Sequence, residues 1–67
     1  NMGNQHTSES SSDVRKTRFT ILKEQQCSLN MQIRLAMELH NAQVQEELQK
    51  ELMDTIEQIE HLTCQPS

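Results

Sequence analysis

The stretch "MQIRLAMELHNAQVQEEL", residues 31–48, decides how this chain folds. It contains seven large apolar residues and no glycine, proline or aromatic residue. Most of its remaining residues are strong helix formers. The stretch therefore predicts a helix, and a helix with so much apolar surface needs a neighbour to cover it.

Composition divides the whole chain into three parts. Residues 1–13 are predicted to be a disordered leader or linker, because residues 1–12 contain one apolar side chain, Met2, among polar ones. Residues 14–64 are predicted to form one long amphipathic helix, since no glycine or proline lies between Gly3 and Pro66. Pro66 ends that helix and leaves residues 65–67 as a frayed C-terminus.

An apolar stripe runs along the predicted helix with a mean spacing of about 3.67 residues, more than in a strict heptad coiled coil. The stripe is predicted to be the oligomer interface and comprises Leu29, Ile33, Met37, His40, Val44, Leu48, Leu52, Ile59 and Leu62. A shorter second apolar face comprises Met31, Leu35 and Leu39. Because one straight helix cannot cover its own stripe, the sequence predicts an all-α fold that packs between chains as a coiled coil or small helical bundle.

Two alternatives to packing between chains remain open. The chain could fold back into a hairpin, for which the sequence offers a turn only at "HNAQ" (His40–Gln43), without glycine or proline. It could also be an isolated helix that folds only on a partner.

The charges are unevenly distributed along the predicted helix. Residues 14–37 carry five basic residues and one acidic residue, a net charge of +4. Residues 38–67 carry one basic and seven acidic residues, a net charge of -6. This distribution opposes the helix dipole, which favours acidic residues at the N-terminus. An antiparallel neighbour places the basic half beside an acidic half, so antiparallel packing is favoured.

The sequence shows no pattern of catalytic, cofactor-binding or metal-binding residues, and neither an enzyme nor a small-molecule substrate is expected. His61 and Cys64 are three residues apart, but two ligands do not make a structural zinc site. Cys27 and Cys64 are too few for a disulfide framework. Together with the lack of a secretory signal, this predicts an intracellular protein, cytoplasmic or nuclear.

Nucleic acid and membrane are not the expected partners. The net charge of -4 argues against non-specific nucleic-acid binding, and the basic cluster Arg15–Arg18 is too short for a bZIP basic region. No apolar run approaches the roughly 20 residues that span a bilayer. Met2–Thr7, "MGNQHT", matches the loose pattern for N-myristoylation, although Asn1 precedes the methionine.

The predicted function is homo-oligomerisation, as a coiled-coil module of a larger intracellular regulatory or scaffold protein. The partner is then the chain itself. The alternative is an amphipathic helix that docks into the groove of a different protein. A myristoylated membrane adaptor segment is a third possibility.

Overall fold

The structure is a hairpin of two helices. The computed structural model describes residues 7–63, and the side chains from Asp13 onward. Helix α1 spans Thr7–Glu38 and helix α2 spans Ala42–Thr63, and the two pack against each other. The predicted all-α fold is confirmed. The prediction of one long helix over residues 14–64 is wrong, because the chain reverses direction at residues 39–41.

The first helix starts earlier than the sequence predicted. It begins at Thr7, so residues 7–13 of the expected leader belong to its first turns. Extending a helix that has already formed costs little compared with nucleating one, which favours this extension. Residues 1–6 and 64–67 lie outside the described residues, and with them Cys64, the expected frayed end and most of the myristoylation pattern.

The end of α1 is fixed by a left-handed residue. His40 has a φ of 56°, a conformation that histidine adopts more readily than most non-glycine residues. The Asn41 N–H donates to the Ala36 carbonyl oxygen at 2.9 Å, and the His40 N–H donates to the Met37 carbonyl oxygen at 3.0 Å. This pair of hydrogen bonds is a Schellman motif, which satisfies carbonyl groups that the end of a helix leaves unpaired.

The start of α2 is fixed by Asn41. Its side-chain Oδ1 accepts a hydrogen bond from the Val44 N–H at 3.2 Å, and its carbonyl oxygen accepts one from the Gln45 N–H at 3.0 Å. Asn41 is therefore the N-cap of α2 while its own N–H closes α1. One residue that serves both helices keeps the connection between them to three residues.

The core of the hairpin is one face of α1 packed on α2. The buried apolar residues are Leu22, Leu29, Ile33 and Ala36, all on α1. The facing residues of α2 are half-buried; this α2 row comprises Leu48, Leu52, Ile56, Ile59 and Leu62. The hairpin thus covers within one chain a large part of the stripe that was expected to need another chain.

A polar residue lies at the centre of the α2 face. Thr55 is 3% exposed, and its hydroxyl donates to the Glu51 carbonyl oxygen at 2.9 Å. The hydroxyl is therefore satisfied within its own helix, and its burial leaves no unpaired polar atom.

The double role of Asn41 leads to a stability prediction. Replacing Asn41 with alanine removes the cap of α2, and we expect the free energy of unfolding to fall by about 1 kcal/mol. Urea denaturation followed by circular dichroism measures this change. The matched control is Asn30→Ala, at an exposed position inside α1, where alanine is the better helix former. Equal effects of the two substitutions would contradict the capping role.

Candidate protein interface

Only part of the predicted oligomer interface is buried inside the hairpin. Leu29 and Ile33 are buried inside the hairpin, whereas Leu48, Leu52, Ile59 and Leu62 keep part of their surface exposed. The remaining members, Met37, His40 and Val44, are exposed near the turn. Part of the stripe is thus used within the chain, and its α2 half remains available for a further contact.

Sequence reasoning missed several residues that pack between the helices. Leu22 and Ala36 are buried, and Phe19 and Ile56 are half-buried. Leu22 lies seven residues before Leu29, so the stripe could have been extended towards the N-terminus. Ala36 lies three residues after Ile33, but its small side chain contributes little to an apolar pattern.

The second apolar face lies on the part of α1 that α2 does not cover. Met31, Leu35 and Leu39 are 67%, 56% and 67% exposed. Met31 and Leu35 line a shallow groove of about 420 Å³ together with Arg34 and Glu38. This face is therefore an exposed apolar surface of the hairpin.

A surface with an acidic rim lies on α2. Met53, 71% exposed, and the half-buried Ile56 form its apolar centre. Asp54, Glu57, Glu60 and Lys50 surround these two residues, and together the six residues line a cleft of about 600 Å³. We refer to Met53, Asp54, Ile56, Glu57 and Glu60 as the acidic surface.

A cleft with a basic rim lies at the open end of the hairpin. Phe19 of α1 and Leu62 of α2 contribute its apolar part, and Arg15 and Lys16 contribute two exposed positive charges. The cleft has a volume of about 480 Å³. No acidic residue lines it among the residues that the structure describes. We refer to Arg15, Lys16, Phe19 and Leu62 as the basic cleft.

The described residues show no arrangement suited to metal binding or membrane spanning. Between residues 7 and 63, no three histidine, cysteine, aspartate or glutamate side chains are grouped so that they could hold a metal ion. Neither α1 nor α2 is long and apolar enough to cross a membrane. The apolar and charged surfaces of the two helices are thus the features from which a function can be argued.

Comparison with known proteins gives no further guide. No protein-family model matches the chain, and no curated protein and no solved structure is significantly similar to it.

Proposed function

We propose that this chain is a self-association module in which two hairpins pack into a four-helix bundle. The observation that supports this proposal is the α2 row, whose five apolar residues are all half-buried in the hairpin. In a hairpin each helix has one neighbour, whereas in a four-helix bundle each helix packs against two. A second hairpin is the simplest partner that covers the exposed half of this row.

The breadth of the apolar surface supports a bundle over a two-stranded pair. The α2 row includes both Ile56 and Ile59, and Leu52 lies on the same side of the helix. A two-stranded contact needs only a narrow seam, and a wider apolar face indicates burial against more than one helix. Fully burying a large apolar side chain contributes about 1.5–3 kcal/mol, so completing the row is a substantial driving force.

The size of the hairpin supports the same proposal. A core built from so few residues rarely supplies more than about 3–5 kcal/mol, and small scaffolds often add oligomerisation to reach a useful stability. Among the residues whose side chains are described, four apolar residues are buried, and each keeps between 4% and 9% of its surface exposed. A second copy adds a shared core without requiring a disulfide or a metal.

In a cell, such a module brings together the segments to which it is attached. We propose that it serves a larger intracellular regulatory or scaffold protein. The functional unit is then the dimer, and the surface through which the two copies associate is apolar.

The test of this proposal is the mass of the chain in solution. Sedimentation equilibrium is expected to give twice the chain mass of 7.8 kDa at micromolar concentration. Helical ellipticity is expected to fall on dilution, because the hairpin loses its covering partner. A mass of 7.8 kDa with undiminished ellipticity at every concentration would overturn the proposal.

A substitution at Met53 tests which surface is used. Met53→Glu removes an apolar side chain that is already exposed in the hairpin, so it leaves the contacts between α1 and α2 intact, and we expect a dimer dissociation constant raised at least about tenfold. The matched control is Met31→Glu, which makes the same change at a similarly exposed position on α1. Sedimentation of both variants measures the difference, and equal weakening would show that α2 is not the interface.

A second candidate function is docking onto a different protein. It is favoured by the spacing of Met31, Leu35 and Leu39, which are exposed and lie four residues apart over the end of α1 and the residue that follows it. Helices that dock into apolar grooves present anchors at such intervals. A chain that stays monomeric and helical in the mass measurement would favour this function over self-association.

A further inference from the structure

We propose that two hairpins pair antiparallel, with the basic cleft of each copy on the acidic surface of the other. This inference rests on the proposed self-association and adds the orientation of the two copies and the residues that meet. The occupant of the basic cleft is thus a second copy of this chain.

The two surfaces are complementary in chemistry. Each has an apolar centre, formed by Phe19 and Leu62 in the basic cleft and by Met53 and Ile56 on the acidic surface. Their rims carry opposite net charges, because Arg15 and Lys16 border the first, whereas three carboxylates and one lysine, Lys50, border the second. Contact between them buries apolar surface on both sides and places opposite charges at its edge, as at the polar rim of a typical interface.

The positions of the two surfaces along the hairpin select the orientation. The basic cleft lies at the open end, where Phe19 is beside Leu62, whereas the acidic surface lies closer to the middle of α2. In a two-fold antiparallel dimer, each copy contributes its cleft to one contact and its acidic surface to the other. A parallel two-fold dimer instead brings like surfaces to the same level, so that basic cleft faces basic cleft.

The unequal lengths of the helices favour the same orientation. Helix α1 has 32 residues and α2 has 22. Since Thr63 at the end of α2 lines the same cleft as Phe19 and Thr20, the first turns of α1 extend beyond α2. In the antiparallel dimer these turns lie beside the other hairpin. The second copy then packs against a part of α1 that α2 of the same chain does not reach.

Two charge-reversal variants of the full chain test the orientation. The first is Arg15→Glu with Lys16→Glu, which makes the basic cleft acidic. The second is Glu57→Lys with Glu60→Lys, which makes the acidic surface basic. Each variant alone is expected to dimerise at least about tenfold more weakly than the original chain at low salt, because both of its contacts bring like charges together.

Mixing the two variants provides the decisive measurement. In the mixed antiparallel dimer, the acidic cleft of the first variant meets the basic surface of the second, and the unchanged cleft of the second meets the unchanged surface of the first. Both contacts regain opposite charges, so the mixture is expected to recover an affinity within about threefold of the original. Sedimentation measures the affinity, and circular dichroism shows whether each variant keeps its helices.

The control variant is Glu46→Lys with Glu47→Lys, at the turn end of α2. It changes the net charge by the same amount as the second variant but lies outside the proposed contact. It is expected to leave the dimer affinity within about threefold.

The possible outcomes separate this inference from the proposed function. If the original chain dimerises but the mixture shows no recovery, the antiparallel orientation is wrong and self-association stands. If the first variant pairs preferentially with the original chain, cleft faces cleft and the dimer is parallel. If the original chain stays monomeric at every concentration, self-association fails and the inference fails with it.

Discussion

Replacing Leu29 with aspartate is expected to abolish most of the helical signal of this chain. Leu29 is 4% exposed, and it lies in the middle of the face of α1 that packs on α2. A carboxylate at this position has to be buried without a partner or forces the helices apart. Either outcome costs more than the roughly 3–5 kcal/mol that a core of this size supplies.

The control for this experiment is Leu35→Asp. It makes the same substitution six residues further along α1, at a position that is 56% exposed. The cost in intrinsic helix propensity is the same for both variants, so it cancels in the comparison. We expect Leu35→Asp to keep its ellipticity at 222 nm and Leu29→Asp to lose it. Similar loss of ellipticity in both variants would show that α1 does not pack on α2 through the face that contains Leu29.

The contrast between these two leucines shows what the sequence could predict. Leu29 belongs to the apolar stripe and Leu35 to the second apolar face, and this division follows from helical spacing alone. The helix formers of residues 21–62 likewise predict an all-helical chain. The asymmetry of charge predicted antiparallel neighbours, and α1 and α2 are antiparallel within one chain.

The turn could not be predicted with the same certainty, because its signals are weak. The chain reverses at "LHN", residues 39–41, where neither glycine nor proline is present. A left-handed conformation at a residue such as His40 costs about 1–2 kcal/mol, which counts against a turn. The burial of Leu29 and Ile33 against α2 offsets this cost. That contact joins residues distant in the sequence, so it cannot be predicted from the conformational preferences of the turn residues.

The candidate interface could be predicted only in part for a related reason. The half-buried state of the α2 row depends on how much of each side chain α1 covers, which helical spacing does not specify. The basic cleft joins Arg15 and Lys16 of α1 to Leu62 of α2, residues more than 40 positions apart in the sequence. Only the hairpin brings them together. Thr55 is a polar residue among the apolar ones of α2, and its hydrogen bond to the Glu51 carbonyl oxygen lets it be buried.

The turn is also where a small change is expected to have the largest effect on shape. Replacing both His40 and Asn41 with alanine removes the left-handed residue of the Schellman motif and the N-cap of α2. Alanine is the best helix former, so the altered turn favours continuing α1 into α2. We expect the hairpin to open into one helix about 85 Å long, calculated for residues 7–63.

Two spin labels measure this change directly. Gln25 and Gln58 line the same surface cleft in the hairpin, and cysteines at these positions can carry the labels once Cys27 and Cys64 are changed to serine. In the hairpin the labels lie on adjacent helices, whose axes are typically about 8–10 Å apart. In a continuous helix the same positions are about 50 Å apart. Labelled chains diluted with excess unlabelled chain report the distance within one molecule.

A third variant separates the shape of the turn from its stability. His40→Gly keeps Asn41 and supplies the residue best suited to the left-handed conformation, so the label distance is expected to stay short. The double alanine variant is expected to show the long distance with its helicity retained. Its apolar stripe is then no longer covered within the chain, and covering it requires exchange of helices with another copy. A short distance in the double alanine variant would mean that packing of Leu29 and Ile33 on α2 holds the hairpin closed whatever residues form the turn.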